Sequence, residues 1–457
     1  MQIGLDFGTT NSSAAVYDGQ HVRLLPLDPV NASPTVMRST LFMTREGVPF
    51  IGREAINRFT EANVGREISY EWRYLGEAEV TLADVGTVMQ SLYAVVDANA
   101  PGRLFQSLKS HLRDASFIGT DVFGTRYTLE ALIAVVLRLM IEQAERVTGE
   151  KVTSLVVGRP VHYANDPALD TLAISRMREA FRLAELPDVV FLPEPTAAAL
   201  SYASTARGEQ HILVFDFGGG TLDVTVMRLD GRGGRDVLAT DGVPIGGDLL
   251  DRRVVMGKLL PHFGAGATLG PRQLPFSAVI LDHLGEWQSI VDLTQPRYLD
   301  MIDEGIRNSD KPNELKALRA LVRENYGLPL YEEVERAKVR LSDVRETTIS
   351  MDVPGIKFSE PLERWDFNRL IGPDVRAVEA CIDRALAVAG LEPDDIDVVL
   401  RTGGSSRIPR FVQMLTNTFG ADKLREMDVF TGVASGLAIA AGDHQTFDQL
   451  QETGSFS

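Results

Sequence analysis

The sequence predicts an α/β protein of duplicated design, two lobes of mixed sheet flanked by helices around a cleft, and three observations carry that prediction. Residues 6–12 read DFGTTNS and residues 216–223 read DFGGGTLD, so an aspartate at the end of an apolar strand is twice delivered into a turn of small residues. The elements around the two turns recur in the same order. Short apolar runs alternate with longer stretches of helical periodicity, the grammar of packed α/β layers. A repeat this long is a duplicated domain and not a short-period solenoid.

In the first half, QIGLDFG reads as a strand, TTNS as a turn, and SAAVYDG with HVRLL as further strand joined by a DG reversal. The second half repeats this with HILVFDFG, GGT, LDVTVMRLDG and RDVLAT. Each half next carries a buried strand running into a Gly/Pro turn, VTSLVVGRP at 152–160 and IDVVLRTGGSSRIP at 396–409. Each also has a helix of small residues, TAAALSYA at 196–203 and GVASGLAIAA at 432–441, whose short side chains permit close backbone packing. YTLEALIAVVLRLMIEQAERV and the run around 369–390 predict amphipathic helices. The expected organisation is a first lobe over 1–195, with 53–104 as a flanking insertion, and a second lobe over 196–442, with 257–330 as an enlarged flanking subdomain. Residues 443–457 form a short tail. HFGAGATLG, which lies near the start of the second insertion, is a loop: no strand precedes it, and its glycine spacing is not that of a dinucleotide fingerprint.

With 457 residues, 44% of them hydrophobic, the chain can bury a large core without covalent staples. Its one cysteine, Cys381, excludes an internal disulfide and points to a reducing, cytoplasmic compartment. MQIGLDFG has neither a basic region nor a cleavable apolar segment, and LEALIAVVLRLMIEQ is too short to span a bilayer and contains Arg138, so no membrane partner is expected. A net charge of −17, with no Arg/Lys cluster interleaved with aromatics, disfavours a nucleic-acid partner.

A turn of Gly and small hydroxyl residues exposes backbone N–H groups and lets a phosphate come close. Two such turns face to face would cradle a di- or triphosphate. Asp6 and Asp216 would then lie beside it, a repulsive arrangement unless a cation intervenes. Mg²⁺, held partly through water, is the natural one, and Asp223 is placed to join its shell. The chain contains no GxxxxGK[ST], HExxH, CxxC or GxSxG, which removes P-loop NTPase, zinc hydrolase and serine hydrolase readings. In VERAKVRLS, Glu335, Lys338 and Ser342 form one helical stripe and Val334, Ala337 and Leu341 another. Read alone, that is an exposed amphipathic helix with a Glu–Lys pair.

Six stretches, IGLDFGTTNS, FLPEPTAAALSYA, VFDFGGGTLDVTV, IGGDLLDRRV, VERAKVRLS and TGGSSRIP, give the chain a resemblance running from residue 3 to about 441. It resembles the actin-like ATPase superfamily, of ribonuclease H-like fold, and within it the nucleotide-binding domain of DnaK-type 70-kDa heat-shock chaperones. The resemblance implies ATP or ADP with Mg²⁺. Gly8, Thr9, Thr10 and Asn11 would line the first phosphate turn, and Gly218, Gly219, Gly220 and Thr221 the second. Gly246 and Gly247, with Gly403, Gly404 and Ser405, would also contact nucleotide. Glu335, Lys338 and Ser342 would grip ribose and adenine, and Arg407 would cover the base. Val339 stands where the chaperones usually carry a stacking arginine. Lys109, in RLFQSLKSHL, matches the lysine that reaches the γ-phosphate. Glu194 and Thr221 would place the attacking water, with Asp216 beside them in the catalytic set and Asp6, Asp216 and Asp223 around the metal.

The chain departs from the chaperones in GRPVHY, where they usually read VPAYF, in Pro193 before Glu194, and in the 257–330 insertion. No peptide clamp or lid is expected in the short tail, a pattern that looks like the clamp-less YegD-like group. The implied function is a nucleotide-driven conformational switch with slow ATPase activity and an unidentified protein partner. The alternatives are a non-hydrolysing nucleotide-binding scaffold or filament protein and, further off, a small-molecule kinase. For the kinase, Ser13 stands where sugar kinases carry an arginine.

Overall fold

The computed structural model describes residues 1–82, 86–164, 166–186, 189–203, 208–230, 234–427 and 432–443. Two sheets dominate it, and their topologies are the same. In the first, the strands run Val189–Pro193, Ser154–Arg159, Gln2–Phe7, Asn11–Tyr17, Val22–Leu24, with Met37–Arg38 paired beside the start of Asn11–Tyr17. In the second the order is Leu424–Glu426, Val398–Thr402, Gln210–Phe217, Leu222–Leu229, Arg235–Val243. Each sheet thus has an antiparallel meander joined to two parallel strands. The registers correspond as well: Asp6 pairs with Ser13 across the first hairpin and Asp216 with Asp223 across the second. The symmetric place therefore holds a carboxylate in the second half and a hydroxyl in the first.

Strand Ser154–Arg159 is buried along its whole length, as its near-continuous apolar run requires in a parallel interior position. The helix Leu129–Thr148 lays an apolar stripe, Leu132, Val136, Leu137, Met140 and Ala144, into the first core. Thr128 caps it by accepting from the Ala131 N–H at 3.2 Å, and Gly149 ends it in the left-handed conformation. The helix Gly372–Ala389 plays the same part in the second core.

The two small-residue helices, Glu194–Ala203 and Gly432–Gly442, join the halves. Ala197 and Leu200 of one meet Val433, Leu437 and Ala440 of the other. The crossing is close enough that a Cβ added at Gly436 would fall 1.7 Å from the Ala197 carbonyl oxygen. The second helix also lies on the first sheet, where a Cβ at Gly4 would fall 2.1 Å from the Ala438 nitrogen. Helix Glu194–Ala203 meanwhile packs Ala198 and Ala199 against Ile212, Val214 and Leu400 of the second sheet. Each lobe is covered in part by a helix anchored in the other.

The segment 53–104 holds the rest of the helix Gly52–Asn63, a ribbon of Tyr70–Leu82 with Gly86–Asp97, and most of strand Gly102–Gln106. Residues 257–330 are mainly helical, with Trp287–Asp292, Pro296–Asn308 and Pro312–Arg323 the longer pieces. The two segments meet where Asn325 Nδ2 donates to the Asn63 carbonyl at 3.0 Å, and just past the end of the first, Gln106 Oε1 accepts from Trp287 Nε1 at 2.9 Å. Among the described residues no helix is long and apolar enough to cross a membrane.

Candidate functional site

The two Gly/Thr turns come together between the sheets. Ser39 fixes the first: its Oγ donates to the Gly8 carbonyl at 2.7 Å and its N–H to the Thr10 carbonyl at 2.9 Å. The second is closed by the Gly218 N–H to the Thr221 carbonyl at 3.1 Å and backed by the start of the helix Gly247–Val254. There the Gly247 N–H donates to the Gly218 carbonyl at 3.1 Å and the Asp248 N–H to the Gly219 carbonyl at 2.9 Å. Ser405 Oγ adds a further bond to the Gly218 carbonyl, at 2.9 Å. The turns touch, since a Cβ at Gly219 would fall 2.1 Å from Thr10 Oγ1. Only glycine admits that approach.

A cavity of about 470 Å³ opens along this junction. Asp6, Gly8 through Asn11, Lys109, Glu194, Asp216, Gly218 through Thr221, Asp223 and Gly247 line it. So do Glu335, Lys338, Ser342, Gly403 through Ser405 and Arg407. Residues from both ends of the sequence are thereby gathered round one space. Gly246 is the exception among the expected residues; it sits behind the second turn, where a Cβ would fall 2.2 Å from the Gly219 carbonyl oxygen.

At one end of the cavity Lys109, in the short helical turn Leu108–Arg113, places Nζ 2.8 Å from Glu194 Oε1, both side chains being largely buried. Burial works against the Lys109 ammonium, but Glu194, Tyr163 and Asp6 outweigh it and hold its pKa above the usual value. The aspartates move the other way. Burial, reinforced by Glu194, pushes Asp6 up to about 7 and Asp223 up to about 6. Burial also raises Asp216 well above the carboxylate range, with Glu194, Asp223 and Asp6 adding to it. Three buried aspartates and Glu194 thus surround one ammonium in a low-dielectric site, and the charged form of each aspartate is disfavoured for want of further positive charge.

That donor set fits Mg²⁺: the acids are hard oxygen ligands, and a divalent cation would supply the missing charge. Thr10 Oγ1, buried at the junction with no hydrogen-bond partner among the described residues, fits a phosphate oxygen. Among the described residues no three His, Cys, Asp or Glu side chains are placed to hold an ion by themselves. Asp6, Asp216 and Asp223 would accordingly hold Mg²⁺ with water and phosphate oxygens sharing the shell.

At the other end, helix Gly327–Asp343 turns its polar stripe into the cavity. The Glu335–Lys338 pair that helical spacing suggests does not form. Glu335 pairs instead with Arg38 of the first sheet. Burial disfavours its charge, but Arg38 and Lys338 overcome that and hold its pKa below the usual value. Lys338 is buried and donates to Asp251 Oδ2 at 2.7 Å and to the Gly247 carbonyl at 2.8 Å. Burial still pushes Asp251 up to about 7 against the pull of Lys338. Val339 is 59% exposed at the cavity wall, and Arg407 lies 3.4 Å from Glu426 Oε1.

The sequence model of the Hsp70 protein family matches residues 2–265 and 320–452. The chain belongs to the Hsp70 family. It is 28% identical to the chaperone protein DnaK of Thermus thermophilus over 96% of this chain and 60% of that protein. With the heat shock 70 kDa protein BIP3 of rice, Oryza sativa, it shares 32% identity over 98% of this chain and 58% of the other. For the chaperone protein dnaK3 of Synechococcus elongatus the figures are 29%, 96% and 50%. The chain therefore spans about half to three-fifths of the length of these Hsp70 relatives, and it carries the nucleotide-binding domain of the actin-like fold.

The Hsp70 match skips residues 266–319, which include Trp287 and its bond to Gln106. Several residues at the site escaped sequence reasoning. Asp251 follows Asp248 by three positions in helix Gly247–Val254, a spacing that puts two acids on one face and could have drawn attention to it. Arg38 gave no signal, because its partner lies 297 residues away. Tyr163 lay within GRPVHY, noticed as a departure but not assigned.

Proposed function

We propose that this Hsp70-family chain is a Mg-ATP-operated conformational switch that hydrolyses ATP slowly and is read by a protein partner. The observation that carries the proposal is the contact of the two Gly/Thr turns over a buried Lys109–Glu194 pair and three aspartates of raised pKa. In this reading the turn N–H groups and Thr10 hold the phosphates. Lys109 neutralises charge that develops on the terminal phosphoryl group. Glu194 and Thr221 orient the attacking water; Thr221 Oγ1 is already tied to Asp223 Oδ2 at 3.1 Å. Mg²⁺, when bound, screens the phosphates from the aspartates. Ribose and base lie along Glu335, Lys338 and Ser342, with Arg407 on the far side of the base. A cytoplasmic setting suits a chain whose single cysteine is buried.

The test is calorimetric titration of the full chain with Mg-ATP and Mg-ADP, with phosphate release followed in the wild type and in Lys109→Ala. The expected result is binding with slow turnover in the wild type, and binding without turnover in the variant. Binding with no turnover in either protein would replace the switch with a scaffold. No binding at all would overturn the nucleotide reading.

A further inference from the structure

The function proposed above leaves one buried group at the Lys109 end of the cavity without a task. Tyr163 follows the strand Ser154–Arg159 and precedes the helix Pro167–Leu183. Its backbone is held on both sides: its N–H donates to Asp170 Oδ1 at 2.6 Å, and its carbonyl accepts from Arg113 Nη1 at 3.3 Å. Its ring belongs to the first hydrophobic core, yet the residue also lines the cavity. The side chain is therefore held in place: its ring packs in the core, its hydroxyl is buried, and the residue forms part of the cavity wall.

The tip has no hydrogen-bond partner among the described residues, although Tyr163 is only 9% exposed. A buried hydroxyl without a partner is costly, and a phenyl ring would pack as well without that cost. The charges that act on the hydroxyl most strongly are Lys109 and Glu194. Burial raises its pKa to about 12, so it carries its proton, and can donate it to a hydrogen bond, at neutral pH. A donor that shares a cavity with an ammonium and feels its field suits an anionic oxygen. It does not suit a cation, and an apolar ligand would leave it unsatisfied. Lys109 is the residue that the nucleotide reading sets against the terminal phosphate, and Tyr163 shares its end of the cavity.

We propose that the Tyr163 hydroxyl donates a hydrogen bond to the terminal phosphate of bound ATP, a contact that ADP cannot make, so that Tyr163 helps the site tell the two nucleotides apart. The inference rests on the nucleotide reading above. A hydrogen bond to a charged oxygen corresponds to roughly ten- to a hundredfold in affinity.

The test is Tyr163→Phe in the full chain, which removes one oxygen from a ring that stays packed. Kd is measured for Mg-ATP and for Mg-ADP in both proteins, with melting temperature without nucleotide as a control. The expected result is an unchanged Kd for ADP, a Kd for ATP weakened roughly tenfold or more, and a nucleotide-free melting temperature that is equal or higher. An unchanged ratio of the two affinities would overturn this inference and leave the nucleotide reading standing. A wild type that binds neither nucleotide would overturn both.

Discussion

The buried acids make a prediction that needs no nucleotide. Asp6 has its pKa pushed from 3.8 to about 7, chiefly by burial and secondarily by Glu194. A carboxyl whose folded pKa lies above its unfolded value keeps a proton that the unfolded chain has lost. Its contribution to stability is therefore fully present below the unfolded pKa and is lost as pH rises through the folded one. For Asp6 the window runs from about pH 4 to about pH 7, and a shift of about three units corresponds to about 4 kcal/mol. Asp6→Asn puts a neutral group of the same shape in place. Below the window the two proteins should have equal unfolding free energies. Above it the variant should be the more stable, by up to about 4 kcal/mol. The assay is denaturant unfolding followed by tryptophan fluorescence across that range, with chelator present, and repeated with Mg-ADP, which should narrow the gap. A difference between the proteins that stays constant with pH would refute the reasoning, as would a variant less stable than wild type above pH 7.

Three further perturbations follow from named contacts. Lys338→Met leaves Asp251 buried without its cation and should cost about 3–5 kcal/mol in denaturant unfolding, most of it recovered in the Lys338→Met/Asp251→Leu double variant. Gly436→Ala drives a Cβ to 1.7 Å from the Ala197 carbonyl and should cost about 1–3 kcal/mol, seen as a lower melting temperature. Val339→Arg places a planar cation at the exposed cavity wall and should tighten ATP binding by roughly 0.5–2 kcal/mol; an unchanged Kd in calorimetry would show that the base does not lie there.

The sequence made the fold legible where local and global signals coincide. Each hairpin announces itself by an apolar run, a Gly/Thr turn and a second apolar run, and the duplication doubles the signal. The small-residue helices were readable as sites of close packing, because nothing but Ala, Gly and Ser brings backbones together at Ala197 and Gly436. What the sequence did not disclose was the exchange, in which helix Gly432–Gly442 of the second half covers the first sheet. A run of small residues says that a backbone is near, not whose. The same limit applied to charge. Helical spacing suggested Glu335 to Lys338, but burial makes each ion seek a partner with better geometry, and Arg38 and Asp251 lie far off in sequence. Tyr163 was hidden for a different reason, since a tyrosine packed in a core looks like any other until its hydroxyl is traced.

The crossing of Glu194–Ala203 with Gly432–Gly442 has a mechanical consequence. Backbones in direct contact cannot slide together or part without breaking the packing, so any rotation of one lobe against the other would have to turn about this crossing. Displacement in such a rotation grows with distance from the crossing. Glu194 begins one of the crossed helices, less than one turn from Ala197, so it is nearly stationary under any rotation about that point. The hydrogen bond of Trp287 to Gln106 joins the two halves and would have to break for them to swing apart. A protein hinged this way would open by releasing that bond while the ion pair of Lys109 with Glu194 stays assembled.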